Sequence, residues 1–117
     1  MNLTDRELLE LAAKAAGLEF EGHTRSGNGC YLVGFDHPWN PLEDLSQAKN
    51  LRHRLCLSTG YDDRFFGPCA YATYPTGPDS CNSIMQSVAE AGGKRAALRR
   101  AIVRAAAEMG KAMQEKH

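Results

Sequence analysis

The opening run TDRELLELAAKAAGL carries both ends of a helix in its own residues, and this constrains the fold more than any other stretch. Thr4 and Glu7 form a T-x-x-E capping box, and Leu3 and Leu8 stand where a hydrophobic staple would close. Gly17 is a natural residue for the position just past the helix, with apolar Leu18 after it. The spacing predicts a helix over residues 5–16, with Leu8, Leu11, Ala12 and Ala15 on one apolar stripe. Such a helix needs a partner face, so the rest of the chain must supply one.

Leu18–His23 alternates like a strand, with Leu18 and Phe20 on one side and Glu19 and Glu21 on the other. Cys30–Phe35 reads as a second strand. The intervening TRSGNG is turn-rich, which predicts an antiparallel hairpin. It matches no phosphate-binding fingerprint. HPWNPLED comes next, with the chain's only tryptophan between two prolines. Asn40, Pro41 and Glu43 make one helix start, and Asp44 with Gln47 makes another a turn later. Leu42, Leu45, Ala48, Leu51 and Leu55 then share one helical face, and Lys49, Arg52, His53 and Arg54 lie toward the end that favours cations. Trp39 is read first as a packing residue at this helix start and second as a binding residue.

Leu55–Thr59 is expected to begin a third strand, and GYDDRFFGP to be a loop. Cys69–Tyr74 reads as a strand ended by Pro75, Gly77 and Pro78. Ser83–Ala89 fits either a last strand or the approach to the final helix, with strand preferred because Gly92 and Gly93 separate it from that helix. A last helix is expected from Lys94 to about Met113, with Leu98, Ala101, Ile102, Ala105, Met109 and Met113 as its apolar face and seven alanines between Ala96 and Ala112. Helices and runs of strands without a repeated βαβ unit define the α+β class. The expected architecture is one domain over residues 1–117, a small mainly antiparallel sheet covered by three helices.

Two stretches, WNPLED before a leucine-patterned helix and AALRRAIVRAAAEMGKAM at the carboxyl end, resemble the phage ABA sandwich domain, found in small bacteriophage and prophage proteins. TDRELLELAAKAAG is similar too. The resemblance implies an alpha-beta-alpha layered domain and a phage setting in the cytoplasm of a bacterial host cell. It carries no catalytic residues to transfer, and residues 56–93 follow none of its pattern.

No protease, hydrolase, P-loop or dinucleotide motif is present. Asp62–Asp63 reads as a solvated turn, and Asp36–His37 as strand neighbours pointing apart. A binding role is therefore preferred to an enzymatic one. Net charge is zero, so only a local patch could favour nucleic acid. No apolar run reaches the ~20 residues that span a bilayer. Cys30, Cys56, Cys69 and Cys81 include no CxxC pair, and only His53–Cys56 has a ligand-like spacing, so four reduced thiols and no metal or cofactor are expected.

Two functions remain. The first is a phage accessory protein that binds a host or phage protein, such as a host defence component, with Tyr61, Arg64, Phe65 and Phe66 as contact residues beside Trp39. The second is a nucleic-acid binder using Arg100 and Arg104, near Lys111, on the outer face of the last helix. Against that second function stands a structural reading, in which the arginines pair with Glu19, Glu21 or Glu90.

Overall fold

The computed structural model describes residues 4–23, 29–34, 38–63 and 67–115. The α+β class expected from the sequence is the class the chain adopts. Its elements are α1 (Asp5–Ala15), β1 (Phe20–His23), β2 (Cys30–Leu32), α2 (Leu45–Leu55), β3 (Ser58–Asp62), β4 (Cys69–Gly77), β5 (Ser80–Ser87), the single turn α3 (Val88–Ala91) and α4 (Lys94–Glu115). The strands form two antiparallel sheets, β1–β2 and β3–β4–β5.

Helix α1 starts and stops as its sequence dictates. The Thr4 hydroxyl accepts from the Glu7 N–H, and the Glu7 carboxylate accepts from the Thr4 N–H. At the other end Gly17 takes φ +74°, the Leu18 N–H donates to the Ala13 carbonyl (2.9 Å) and the Gly17 N–H to the Lys14 carbonyl (3.1 Å). This is the Schellman pair of bonds. Leu3 lies outside the described residues. The buried stripe is Leu8, Leu9, Ala12 and Ala13, whereas Leu11 and Ala15 are half-buried. The face is broader than expected because α1 packs against both α4 and the β1–β2 hairpin.

The second of the two starts begins α2. The Asp44 carboxylate caps it by accepting from the Gln47 N–H (3.1 Å). Asn40 instead closes a preceding turn: its side chain accepts from the Leu42 N–H, and its carbonyl from Glu43 and Asp44. The helix runs through Leu55, where a strand was expected to begin. Cys56 then turns the chain in the left-handed region (φ +56°), and β3 starts at Ser58.

Strand β3 continues through Asp62, so Tyr61 lies on a strand and not in the expected loop. Strand β4 also outruns its expected end. Pro75 pairs with Cys81 on the β5 side but lies past the last β3 pair, Ser58↔Thr73. Its missing N–H therefore breaks no bond to β3. Strand β5 begins at Ser80 and takes the ambiguous segment as far as Ser87, while the last residues of that segment, Val88 and Ala89, belong to α3.

Helix α4 lies at the centre. One side packs on β4 and β5, the other on α1 and α2. Its middle is buried over more than the single stripe expected, at Ala101, Ile102, Val103, Ala105, Ala106 and Ala107, with only Arg104 among them half-buried; Met113 is exposed. Alanines permit this, because a helix without bulk can have close neighbours in several directions. The layers therefore run sheet, α4, then α1 with α2.

Among the described residues no helix covers the sheet's far face. Ala70, Ala72, Tyr74 and Gln86 point toward α4 and are buried. The alternate row, from Ser58 and Gly60 across Tyr71 and Thr73 to Ser83 and Met85, contains no buried residue.

Candidate interaction surface

The expected site residues scatter over the fold. Trp39 is only 4% exposed, and its backbone bridges to the hairpin: its N–H donates to the Cys30 carbonyl (2.8 Å) and its carbonyl accepts from the Cys30 N–H (3.0 Å). Gly29 lies beneath this bridge at φ +130°, and a Cβ there would come within 2.9 Å of the Trp39 carbonyl. The Pro-Trp-Asn-Pro segment thus joins hairpin to helix, and Trp39 contributes no exposed surface.

Arg64, Phe65 and Phe66 lie outside the described residues, as does the Asp36–His37 pair. Tyr61 is exposed at the sheet edge, where its hydroxyl donates to the Lys94 carbonyl (3.2 Å) and the Lys94 ammonium lies 5.8 Å from its ring. It holds the first turn of α4 against β3.

Arg100 and Arg104 converge on one cleft of about 620 Å³, together with Lys111, Glu90 and Glu108. The partners expected for them, Glu19, Glu21 and Glu90, are not the ones used. Arg100 pairs with Asp5 (3.1 Å), and the neighbouring Arg99 donates to the Leu42 carbonyl (2.9 Å). Arg104 donates to Gln86 Oε1 (2.8 Å) and to the Met85 carbonyl (3.3 Å). These cations link α4 to α1, to the segment before α2, and to β5. All three are half-buried, not on an outer face.

The uncovered sheet face was missed by sequence reasoning. A cavity of about 500 Å³ on it is lined by Tyr61, Asp62, Asp63, Tyr71, Ser83 and Met85. The Tyr71 ring lies over Gly60, whose added Cβ would sit 2.7 Å from the Tyr71 hydroxyl. The aromatic ring covers the space that a cross-strand side chain would fill. Met85, directly opposite Tyr71 on the other side, is 42% exposed. Alternation in CAYATY and SIMQS was the available signal, but period two shows which residues share a face and not which face is covered.

Among the described residues no group of three or more His, Cys, Asp or Glu side chains comes together, and no helix is long and apolar enough to cross a membrane. Cys56 and Cys81 are exposed; Cys30 is fully buried, with its thiol toward the Trp39 carbonyl (3.7 Å). Burial, reinforced by Glu10, pushes the Cys30 thiol from 9.0 up to about 11. The folded chain thus holds this proton more tightly than the unfolded one. The associated stability is fully present below pH 9.0 and is lost as pH rises to about 11. Chemical denaturation across that window should show a falling midpoint, with a shallower fall in Cys30→Ala. Equal slopes would mean that Cys30 ionises as freely in the folded chain as in the unfolded one.

No family model, curated protein or solved structure matches the chain.

Proposed function

We propose that the chain is a small phage or prophage accessory protein. It acts by protein–protein contact through the uncovered face of the β3–β4–β5 sheet, and its partner is a host or phage protein. The observation that carries this reading is the Tyr71–Met85 pair, presented on a face over which no helix packs among the described residues. A half-buried aromatic beside an exposed methionine supplies adaptable apolar area, and Asp62 and Asp63 add a polar rim. Phe65 and Phe66 follow Asp62 and Asp63 in the β3–β4 connection of the sequence and lie outside the described residues.

The arginines lend less support to nucleic acid. Arg99, Arg100 and Arg104 are each engaged within the fold, and Glu90 and Glu108 share their cleft. Phosphate binding would require breaking those contacts beside two carboxylates.

Affinity capture from bacterial lysate, with and without nuclease, tests the proposal when native chain is compared with a Tyr71→Ser, Met85→Ser variant. A captured protein that survives nuclease and is lost with the variant is the expected result. Capture that nuclease abolishes, with steep salt dependence, would favour the nucleic-acid reading. Capture unchanged in the variant would remove the sheet face from the proposal.

A further inference from the structure

Arg100, Arg104, Glu108 and Lys111 follow one another along α4 at intervals of four, four and three residues, so they share one side of the helix. The cleft of about 620 Å³ opens along that side. Gln86 of β5 and Glu90 of α3 also line it, as do Leu8 of α1 and Leu42 of the segment before α2. Its volume is that of a small-molecule site.

Gln86 is a buried polar side chain, 6% exposed. Its Oε1 accepts from Arg104 Nη1 (2.8 Å), and the Met85 carbonyl accepts from the same nitrogen (3.3 Å). Two neutral acceptors from β5 thus hold one corner of the guanidinium. The Nε–Nη2 edge, the pair of donors that fits a carboxylate, has no partner among the described residues. The Gln86 amide nitrogen has only a 3.4 Å contact to the Ser87 carbonyl, so donors are in excess here.

Acceptors are close by but unused. Glu108 stands one turn from Arg104, and Glu90 lines the same cleft. Neither carboxylate forms an ion pair with Arg100, Arg104 or Lys111, and Arg100 turns to Asp5, which does not line the cleft. A guanidinium held by its far corner and two carboxylates therefore share one cavity without neutralising each other.

We propose that this cleft binds a small zwitterion, a molecule of amino-acid or dipeptide size that carries both a carboxylate and an ammonium. Its carboxylate takes the Nε–Nη2 edge of Arg104 in a bidentate pair, and its ammonium is met by Glu90 and Glu108. Leu8, Leu42 and Ala96 supply contact for a short apolar side chain. Charge selects this class. A plain anion would be repelled by Glu90 and Glu108, and a plain cation by Arg100, Arg104 and Lys111. Successive phosphates of a nucleic acid would need several arginines at once, whereas one carboxylate needs only the open edge of Arg104 and breaks no bond.

The site is separate from the sheet face, so partner capture through Tyr71 and Met85 succeeds or fails independently of it. Isothermal titration of the full chain with leucine and with alanyl-leucine tests the proposal. The N-acetyl and carboxamide forms of each probe and inorganic phosphate are the controls. Saturable binding of at least one probe is expected, with affinity falling about tenfold or more when either charged end is blocked. Arg104→Gln should lose as much, and Arg104→Lys should not restore it, because an ammonium has no two-donor fork. Glu108→Gln should weaken the unblocked probe and leave the N-acetyl form unchanged. No binding of either probe at millimolar concentration overturns the proposal. So does equal binding of the N-acetyl form or of phosphate, which would make the cleft a plain anion site. Binding unchanged in folded Arg104→Gln overturns it as well. If the Arg104 variants do not fold, the blocked and unblocked probes on the native chain and on Glu90→Gln, whose side chain is exposed, decide alone.

Discussion

Trp39→Ala should lower the stability of the folded chain by about 3–5 kcal/mol, the cost of emptying a large buried aromatic site. The indole is 4% exposed and belongs to the same buried cluster as Cys30, Leu32, Ala48 and Leu51. No small residue nearby can refill that volume without moving the Cys30–Trp39 bridge, which has a hydrogen bond in each direction. A domain of this size has ~5–15 kcal/mol in total, so the variant would lose a large share of it. Urea denaturation measures the loss directly. Tryptophan fluorescence gives a second check, as the native chain should emit to the blue of free tryptophan and resist quenching by iodide. Red-shifted, freely quenched emission would place Trp39 at the surface and return it to the candidate contacts.

Gly110→Val should be comparably damaging, although glycine inside a helix is ordinarily replaced at a gain. Alanine at an exposed helical position would stabilise by ~1 kcal/mol relative to glycine. Here α1 crosses α4 so closely that a Cβ at 110 would overlap the Leu11 carbonyl of the facing helix. That obstacle is backbone and cannot rotate away, so the two helices must separate. Overpacking typically costs ~1–3 kcal/mol. A backbone collision belongs at or above the upper end of that range and exceeds the propensity gain. Gly110→Ala should therefore destabilise too, by less than Gly110→Val. If Gly110→Ala raised the denaturation midpoint, α1 and α4 could not be in backbone contact at this position.

The contrast between Gly17 and Gly110 shows why parts of the fold were legible in the sequence. Gly17 ends a helix, and its role is set by the residues immediately around it. Gly110 interrupts an alanine-rich helix, and its role depends on a carbonyl about a hundred residues away in sequence. Asp44 was one of two readable caps. The choice between Asn40 and Asp44 was made when the Asn40 N–H found Gln47 Oε1 (2.6 Å) and Asn40 closed a turn instead. Cys56 gave no local warning of a left-handed residue, so β3 was expected to begin at Leu55, which is still helical, rather than at Ser58.

The candidate surface was less legible than the fold. Arg100 and Arg104 stand a turn apart on any helix, and that spacing was readable. Their partners Asp5 and Gln86 come from distant parts of the chain. Tyr61 was read as a contact residue in a loop, and not as the strand residue that holds Lys94.

What the sequence alone determined is therefore local: where α1 starts and stops, the α+β order of elements, the span of α4 and the alternation in β4. These rest on hydrogen bonds and side-chain periods within a few residues of one another. Tertiary structure decided the rest. It placed α4 between sheet and helices, left Tyr71 and Met85 on an open face, and put Trp39 inside. The physical reason is that burial is a property of pairs of surfaces. A period of two or 3.6 residues groups side chains on a face, but only the assembled neighbours determine which face loses its water.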